Sequence, residues 1–307
     1  MEKIIPVVLC FDKAYEDWAC VSIYSAYLNT QRKIKFYCLV PDSDNDKLNS
    51  VKLLKEKYQL DLEIIYYDVS LFDNWRIVGH FSRITYARFL IPELINEEKI
   101  IYLDSDLLVL LGLEKLYDTD LTGHLLAGVQ DAYGGEKFSP IPRNADDIYV
   151  NTGVLLMDLN SLRNDCFREK CTALYEIYKD HLKMPDQCVI NKYAENRKLI
   201  LDKSWNIQVP SNLVSPNAWE TAKKHVSIMH FIFDVKPWMK WCNPLVFHFY
   251  WEYVEKLNLP DIRPIEITNM NQMISLANIL DVNQSFEESS KLKTDLINML
   301  IKNLSEK

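Results

Sequence analysis

Two aspartates, Asp104 and Asp106, interrupt an apolar segment that otherwise has the pattern of a buried strand, KIIYLDSDLLVL at 99–110. An unpaired carboxylate in a low-dielectric interior is very costly, so such groups become neutral, find partners or bind a metal. Side chains at i and i+2 of an extended chain point to the same side, so both carboxylates could converge on one cation. Hard oxygen ligands suit Mg²⁺ or Mn²⁺, which often also bind substrate phosphates. Aspartates with this spacing are also common in turns and helix caps, so the pair alone leaves both interpretations open.

The elements that must position these aspartates follow the pattern of an α/β protein. Continuous apolar runs of strand length alternate with helical patterns, which predicts a mostly parallel sheet covered by helices on both faces. The predicted strands are 4–11, 33–40, 62–69, 99–106, 125–132 and 152–159, and the predicted helices are 17–29, one starting near 46, 86–94 and 161–181. In open sheets of this kind, ligands bind outside the carboxyl ends of the strands, where Asp104 and Asp106 fall.

Length and composition exclude several classes of function. The 307 residues suffice for one large domain with appendages, and 48% hydrophobic with 25% charged residues is ordinary for a soluble globular protein. A net charge of −8 argues against nucleic acid as the main partner. Seven cysteines without a CxxC pair indicate neither a zinc ribbon nor a redox motif, so we expect a reducing cytoplasm. The N-terminal run is interpreted as a strand, not a signal peptide, and no segment approaches the roughly 18 apolar residues of a membrane helix.

The last part of the chain has a different character, which predicts a main domain over 1–250 and a small helical C-terminal extension over 251–307. One apolar helical face is formed by Leu292, Leu296, Ile297, Leu300, Ile301 and Leu304. We expect this face to pack on its own domain or on a partner chain. Acidic residues match the basic ones on the polar side, which disfavours a membrane-surface helix. Oligomerisation and peripheral membrane association both stay open.

Six ordered motifs give the chain its resemblance to the family 8 glycosyltransferases, retaining enzymes of the GT-A fold that use nucleotide sugars. They are FDKAY at 11–15, HFSRITYARFLIPEL at 80–94, YLDSD at 102–106, NTGVLLMDL at 151–159, PDQCVIN at 185–191 and MHFIFDVKPW at 229–238. The resemblance implies a Rossmann-like GT-A catalytic domain with Mn²⁺ or Mg²⁺ as cofactor. It also implies transfer of a hexose from UDP-glucose or UDP-galactose to a glycan, lipid-linked or protein acceptor, as in lipopolysaccharide or cell-surface glycan synthesis.

The resemblance implies a metal site at Asp104 and Asp106, with His230 as the third protein ligand. Mn²⁺ accepts imidazole as well as carboxylate, so this set agrees with metal chemistry. Without the resemblance, His230 would be interpreted as a hydrogen-bonded core histidine. Lys236, six residues later, would contact the diphosphate and support the leaving group as negative charge develops. Its structural alternative is a solvated surface lysine.

The remaining site residues surround the donor in this resemblance. The donor-binding positions are Asp12, His80, Arg88, Asp104, Ser105, Asp131, Asn151 and Lys236, and the catalytic positions are Asp186, Gln187 and Lys236. Most have a structural alternative. Asp12 and Asp186 could each cap a helix, and Arg88 could form a surface ion pair. Asp131 and Asn151 could belong to a strand-end turn and a bend.

Gln187 would stand where retaining hydrolases place a carboxylate nucleophile beneath the sugar ring. An amide is a poor nucleophile, which favours a front-face route. In that route the leaving phosphate oxygen accepts the proton of the incoming hydroxyl. Gln187 would then position or electrostatically support the sugar cation.

Phe233 departs from the family, whose members commonly have glycine three residues after the metal-binding histidine. A bulky residue there either turns outward or crowds the phosphates. Phe233 therefore motivates an alternative function, that of an inactive nucleotide-sugar-binding protein.

Four further points about function follow from the sequence. Metal-dependent phosphoryl or nucleotidyl transfer would use a Gly-rich phosphate loop or further clustered carboxylates, and the absence of a GxxxxGK(S/T) pattern excludes P-loop chemistry. Self-glycosylation is permitted by 17 tyrosines without being supported. The polar segment 133–149 is either an acceptor-binding segment or an inert connection. The sequence does not distinguish glucose from galactose as the donor sugar.

Overall fold

The structure, a computed structural model, describes residues 3–77, 83–212 and 214–305. The strands are β1 Ile5–Cys10, β2 Ile34–Pro41, β3 Asp61–Tyr67, β4 Lys99–Leu103, β5 Leu107–Val109, β6 Leu126–Gln130, β7 Val150–Asp158, β8 Lys198–Ile200, β9 Ile207–Pro210 and β10 Ile228–Ile232. The helices are α1 Glu16–Asn29, α2 Ser50–Tyr58, α3 Ile91–Leu94, α4 Glu114–Tyr117, α5 Leu159–Asn164, α6 Phe167–Tyr178, α7 Pro185–Tyr193, α8 Pro216–Ala222, α9 Pro244–Leu257, α10 Met270–Val282 and α11 Phe286–Ser305.

The main sheet has seven strands in the order β3-β2-β1-β4-β7-β6-β8. Strands β3, β2, β1 and β4 pair in parallel, whereas β7 runs antiparallel to both of its neighbours, β4 and β6. The carboxyl ends of β1, β4 and β6 and the first residues of β7 therefore lie along one edge. The predicted mostly parallel sheet flanked by helices is confirmed, with β7 as its exception. A second sheet has the order β5-β10-β9.

The strands match the predicted apolar runs because the sheet is covered on both faces. All six residues of β1 are buried, as are all but the last residue of β7. Strand β3 ends at Tyr67, before the predicted 69, because Asp68 accepts a 2.9 Å hydrogen bond from the Ser70 amide and begins a short 3₁₀ helix. The helix predicted from about 46 begins later, at Ser50.

Two helix predictions are wrong. The single helix predicted over 161–181 is divided into α5 and α6, because Cys166 adopts a left-handed φ of 53° between them. The helix predicted over 86–94 is a 3₁₀ helix, Arg83–Leu90, followed by the short α3. Pro92 has no amide hydrogen, so an α-helix could not run through this segment without losing a hydrogen bond.

The chain forms two compact units. The first comprises 1–207 with 227–229, and the second comprises 208–226 with 230–307. The main sheet and α1 to α7 belong to the first unit, whereas α8 to α11 belong to the second. The predicted division between 1–250 and 251–307 stays a prediction about functional domains.

The C-terminal part of the second unit is helical, as predicted. Helix α10 begins with a capping box between Asn269 and Gln272 and is followed by α11. Ile297, Leu300 and Ile301 of α11 are exposed, so packing of the apolar face on its own domain is wrong for these three residues, and packing on a partner chain stays a prediction. No helix within 3–77, 83–212 and 214–305 has the length and apolar character needed to cross a bilayer.

Candidate functional site

Four predicted site residues lie along one edge of the main sheet. Asp12 follows β1, Asp104 follows β4, Asp131 follows β6, and Asn151 is the second residue of β7. The amide of Asp104 donates a 2.8 Å hydrogen bond to the Gly153 carbonyl, which joins the end of β4 to β7. The antiparallel direction of β7 thus brings residues 151–153 to the carboxyl ends of the neighbouring strands.

Arg88 is buried at this edge between two of the predicted acidic residues. Its Nη2 lies 3.0 Å from Asp104 Oδ1, and its Nη1 lies 2.9 Å from Asp186 Oδ2. Nη1 also donates to Thr152 Oγ1 at 3.0 Å. Burial alone lowers the pKa of Arg88, but Asp186, Tyr102 and Asp104 outweigh it, so the pKa is raised and the guanidinium stays charged. The alternative of a surface ion pair is wrong, because Arg88 is only 7% exposed.

Asp186 is part of this buried group and does not cap its helix. Helix α7 begins at Pro185 with Met184 as the N-cap residue, and Asp186 lies in the first turn. Its carboxylate is 4% exposed and directed at Arg88. We refer to Arg88, Asp104 and Asp186 together as the Arg88 cluster.

Two polar partners of the Arg88 cluster, Tyr102 and Thr152, were not predicted from the sequence. The Tyr102 hydroxyl donates a 2.6 Å hydrogen bond to Asp104 Oδ1, and burial raises its pKa well above the ordinary value, so the hydroxyl keeps its proton. The i, i+2 spacing that relates Asp104 to Asp106 also relates Tyr102 to Asp104, and this could have identified Tyr102. Thr152 is a strand threonine without a sequence feature that marks it.

Asp104, Asp106 and His230 form a group with the geometry of a metal site. One ligand atom from each lies within 4.8 Å of the others, with His230 buried and both aspartates half-buried. Two carboxylates and an imidazole are a donor set that Mn²⁺ and Mg²⁺ sites use, Mn²⁺ accepting the imidazole more readily. Together with the neighbouring Arg88 and Asp186, the two aspartates form a set of side chains with one positive and three negative charges. A divalent cation would neutralise this set.

Ser105, between the two aspartates, adds an observation that points to a ligand. Its side-chain Oγ is buried and has no hydrogen-bond partner within the described part of the chain. A buried hydroxyl without a partner is costly, so an oxygen-rich ligand would satisfy it. The Ser105 carbonyl accepts a 2.9 Å hydrogen bond from Ser22 Oγ, which fixes the backbone there.

The amide of Gln187 is held at both ends. Its Nε2 donates to Asp131 Oδ2 at 3.1 Å, and its Oε1 accepts from the Thr152 amide at 3.2 Å. Asp131 Oδ1 accepts from the amides of Tyr133 at 3.0 Å and Gly135 at 2.9 Å, so Asp131 also forms the predicted turn. Asp131 and Gln187 are both buried, at 8% and 4% exposure.

Asn151 lies on the same edge and is likewise buried. Its Oδ1 accepts from the Gly153 amide at 3.0 Å and from Asn206 Nδ2 at 2.9 Å. Asn206 is a further buried partner that no sequence motif indicated. Asn151 lies within strand β7, so the alternative of a bend at this position is wrong, and its side-chain amide is fixed by these two contacts.

The predictions for the remaining site residues, Asp12, Lys236 and His80, differ in how the structure bears on them. Asp12 accepts a 3.2 Å hydrogen bond from the Tyr15 amide, so the helix-cap alternative is confirmed and its contact with a donor stays a prediction. Lys236 is 4% exposed and its Nζ donates to the Phe231 carbonyl at 2.8 Å, so it is not a solvated surface lysine. His80 lies outside the described residues.

Segment 133–149 forms part of a cavity in the first unit. The cavity has a volume of about 430 Å³ and is lined by Gln130, Glu136, Ile141 and residues 143–149. Asp147 pairs with Arg143 at 3.1 Å and with Lys198 at 2.7 Å, and all three side chains are largely buried. We refer to these three residues as the Asp147 cluster.

The mostly parallel sheet flanked by helices has the GT-A type of fold. A protein-family model described as "Glycosyl transferase family 8" matches residues 6–242, and the chain belongs to that family. The predicted family and fold are therefore confirmed.

Curated and solved relatives agree with this assignment. General stress protein A of Bacillus subtilis (strain 168) is 26% identical over 252 residues, which cover 77% of this chain and 88% of that protein. Glycosyltransferase GlyF of Streptococcus pneumoniae serotype 4 is 26% identical over 251 residues, 80% of this chain and 60% of its own length. Two crystal structures of LgtC are similar to this chain. The structure of an active-site mutant has a TM-score of 0.73, and the structure of the galactosyltransferase in complex with donor and acceptor sugar analogs has a TM-score of 0.71. Each is 23% identical and covers 84% of this chain and 98% of its own.

Proposed function

We propose that this chain is a retaining hexosyltransferase that transfers galactose or glucose from a UDP-sugar to a glycan or glycolipid acceptor with Mn²⁺, or Mg²⁺, as cofactor. The observation that carries the proposal is the group of Asp104, Asp106 and His230, whose ligand atoms lie within 4.8 Å of one another. The catalytic domain would span 1–250, with 251–307 as its extension. Galactose is supported by the description of LgtC as a galactosyltransferase.

In this proposal Asp104, Asp106 and His230 hold the metal. When bound, the ion supplies positive charge against the diphosphate of the donor. Tyr102 and Arg88 both contact Asp104 Oδ1, so they orient this carboxylate before any ligand arrives. Ser105 would donate its unsatisfied hydroxyl to the donor, and Lys236 would stabilise negative charge on the departing UDP.

Asp131, Asn151, Asp186 and Gln187 would bind the hydroxyl groups of the donor hexose. Buried polar groups reject a ligand that leaves them unpaired, which gives such a pocket its specificity. Asp12 and His80 would contact the nucleoside. Arg88 would bridge the sugar and the phosphate.

Gln187 would support the reaction without forming a covalent bond. Its Oε1 accepts from the Thr152 amide and its Nε2 donates to Asp131, so this orientation of the amide satisfies both partners. In the transfer step, the bond between the anomeric carbon and the UDP oxygen breaks. A bond from the same carbon to the acceptor oxygen forms on the same face, and the acceptor proton passes to the leaving phosphate oxygen. Gln187 Oε1 would stabilise positive charge at the anomeric carbon.

The alternative of an inactive binding protein has Phe233 as its motivation. Phe233 is 39% exposed and adopts a φ of 69°, the left-handed conformation in which glycine is most at ease. The chain therefore keeps a glycine-like backbone at this position and turns the side chain outward. This supports an active enzyme over an inactive one.

The experiment that tests the proposal measures UDP release from UDP-galactose and UDP-glucose with Mn²⁺ and without acceptor. We expect slow hydrolysis of one donor, lost in Asp106→Asn and kept in the control Asp120→Asn, whose carboxylate lies in an exposed turn. Mn²⁺-dependent UDP binding without hydrolysis of either donor would favour the inactive binding protein. Absence of Mn²⁺-dependent UDP binding would refute the proposed site. Intact-mass measurement after incubation with donor would detect self-glycosylation.

A further inference from the structure

Phe233 has a backbone conformation that bulky residues rarely adopt. Its φ of 69° lies in the left-handed region, where a Cβ atom comes too close to the neighbouring carbonyl oxygen. Phe231 and Ile232 before it are buried, whereas Phe233 is 39% exposed. The side chain of Phe233 is thus partly exposed to solvent.

The other non-glycine residues with positive φ differ in chemistry. In the second unit they include His225, Asn258 and Asp261, whose polar side chains are the ones that tolerate this region best. Phe233 is the only Phe, Tyr or Trp with a positive φ within the part of the chain that the structure describes. Strain of this kind persists where function selects for it, so the outlier calls for a functional explanation.

The position of Phe233 indicates what its ring could contact. It lies three residues after His230 and three residues before Lys236, and the Lys236 Nζ to Phe231 carbonyl bond of 2.8 Å closes this segment into a turn. Both flanking residues are assigned to the metal and the diphosphate in the proposed function. An aromatic ring cannot pair with phosphate charge, but its face suits the apolar C–H face of a pyranose ring.

We propose that Phe233 is the platform on which a pyranose ring of the acceptor stacks. This inference rests on the proposed function and deepens it, since it names a residue that would hold the acceptor. In a front-face reaction the acceptor hydroxyl approaches on the same face as the leaving diphosphate. A side chain on the diphosphate-binding turn is therefore beside the incoming acceptor.

The test compares Phe233→Leu, which removes the ring, with Phe233→Tyr, which keeps it. Phe286→Leu is the matched control, because Phe286 is an aromatic residue of the same unit that is 64% exposed. Calorimetry first measures UDP binding with Mn²⁺ for each protein. Each protein, loaded with Mn²⁺ and UDP, is then applied to an array of glycans that end in hexose or hexosamine.

We expect all four proteins to bind Mn²⁺ and UDP with affinities within about twofold of one another. Wild type, Phe233→Tyr and Phe286→Leu should bind the same glycans, whereas Phe233→Leu should bind them about tenfold more weakly. Two results would overturn the inference about Phe233 and leave the proposed function standing. One is that Phe233→Leu binds glycans as well as the wild type does, and the other is that the wild type binds UDP but no glycan. A tenfold loss of UDP affinity in Phe233→Leu would place the ring on the donor and also overturn it. If the wild type binds no UDP, the proposed function fails first.

Discussion

The Arg88 cluster and the Asp147 cluster are two buried groups of ion pairs in the same unit. Each has an arginine with little exposure against a carboxylate, at 3.0 Å for Arg88 and Asp104 and at 3.1 Å for Arg143 and Asp147. In both, an aromatic ring lies under the guanidinium, with ring centroids 4.7 Å away. The two clusters therefore use the same contacts.

Their charges differ in sign. The Arg88 cluster has one cation and two carboxylates, whereas the Asp147 cluster has two cations, Arg143 and Lys198, and one carboxylate. Burial lowers the pKa of Lys198 below its ordinary value in spite of Asp147, as expected where positive charge is in excess. Only the Arg88 cluster has a negative surplus that a bound cation could neutralise. Net charge, more than burial or pairing, thus distinguishes the Arg88 cluster, which the proposed function places at the metal site, from the Asp147 cluster.

The largest effect is expected for Arg88→Met, which removes the positive member of the Arg88 cluster. Asp186 would stay buried and Asp104 half-buried without their cation, so the free energy of unfolding should fall by about 3–5 kcal/mol. Donor hydrolysis should fall by at least about a hundredfold, because an oriented carboxylate is lost from the metal site. Urea denaturation and UDP release measure the two effects. A variant as stable as wild type would show that the cluster is not an energetic unit.

Asp147→Asn tests the Asp147 cluster, whose net charge has the opposite sign. Arg143 and Lys198 would lose their buried carboxylate, which should lower the free energy of unfolding by about 3 kcal/mol. The thermal stabilisation by Mn²⁺ should be retained, since Asp147 is not among the metal-site residues. The stabilisation by Mn²⁺ reaches about 2.7 kcal/mol when the free Mn²⁺ concentration is a hundred times its Kd. Loss of the Mn²⁺ response in this variant would contradict the distinction drawn from charge.

Gly135→Ala sharpens the comparison, because Gly135 connects the loop of the Asp147 cluster to Gln187. A Cβ atom there would lie 2.9 Å from Gln187 Nε2, 2.9 Å from Tyr149 Cε1 and 3.1 Å from Asp131 Oδ2. Crowding of this kind costs about 1–3 kcal/mol and would displace the Gln187 amide. We expect donor hydrolysis to fall about tenfold, with Kd for UDP unchanged. Wild-type turnover would show that the orientation of Gln187 does not matter.

The smallest effect is expected at Asp165, whose ion pairs are partly exposed. Burial raises its pKa, but hydrogen bonds from Lys170, Tyr193 and Arg197 outweigh this and lower it to about 2. The charged form is favoured in the folded chain, so this stabilisation is present above the ordinary aspartate pKa and is lost as pH falls toward 2. Asp165→Asn should lose about 1 kcal/mol at pH 7. In urea titrations the difference from wild type should disappear near pH 2.

The apolar runs predicted the strands well, because a strand buried on both faces has a continuous apolar sequence. The same property concealed the direction of β7, since nothing in a fully buried run distinguishes parallel from antiparallel pairing. The break at Cys166 was also hidden, because a left-handed cysteine leaves no mark in helical periodicity. Strand β5, with three residues, is too short for a pattern to be recognised.

The site was predictable where a motif named its residues and less so where the fold supplied partners. Asp104 and Asp106 were indicated by their spacing within an apolar strand, the resemblance added His230, and the structure brings the ligand atoms of all three together. Thr152 and Asn206 hold Gln187 and Asn151, yet both are ordinary polar residues in sequence. Their roles depend on which strands become neighbours, and local sequence does not encode this.

The contacts of Arg88 have a consequence for how the chain folds and unfolds. The guanidinium joins the 3₁₀ segment before α3, the end of β4, the start of β7 and the first turn of α7. The sheet places β7 beside β4, although a long stretch of chain separates these two strands in the sequence. Closing a loop of this length is slow. We expect these contacts to form late in folding and to break early in unfolding. A ligand bound there would then slow unfolding much more than it speeds folding.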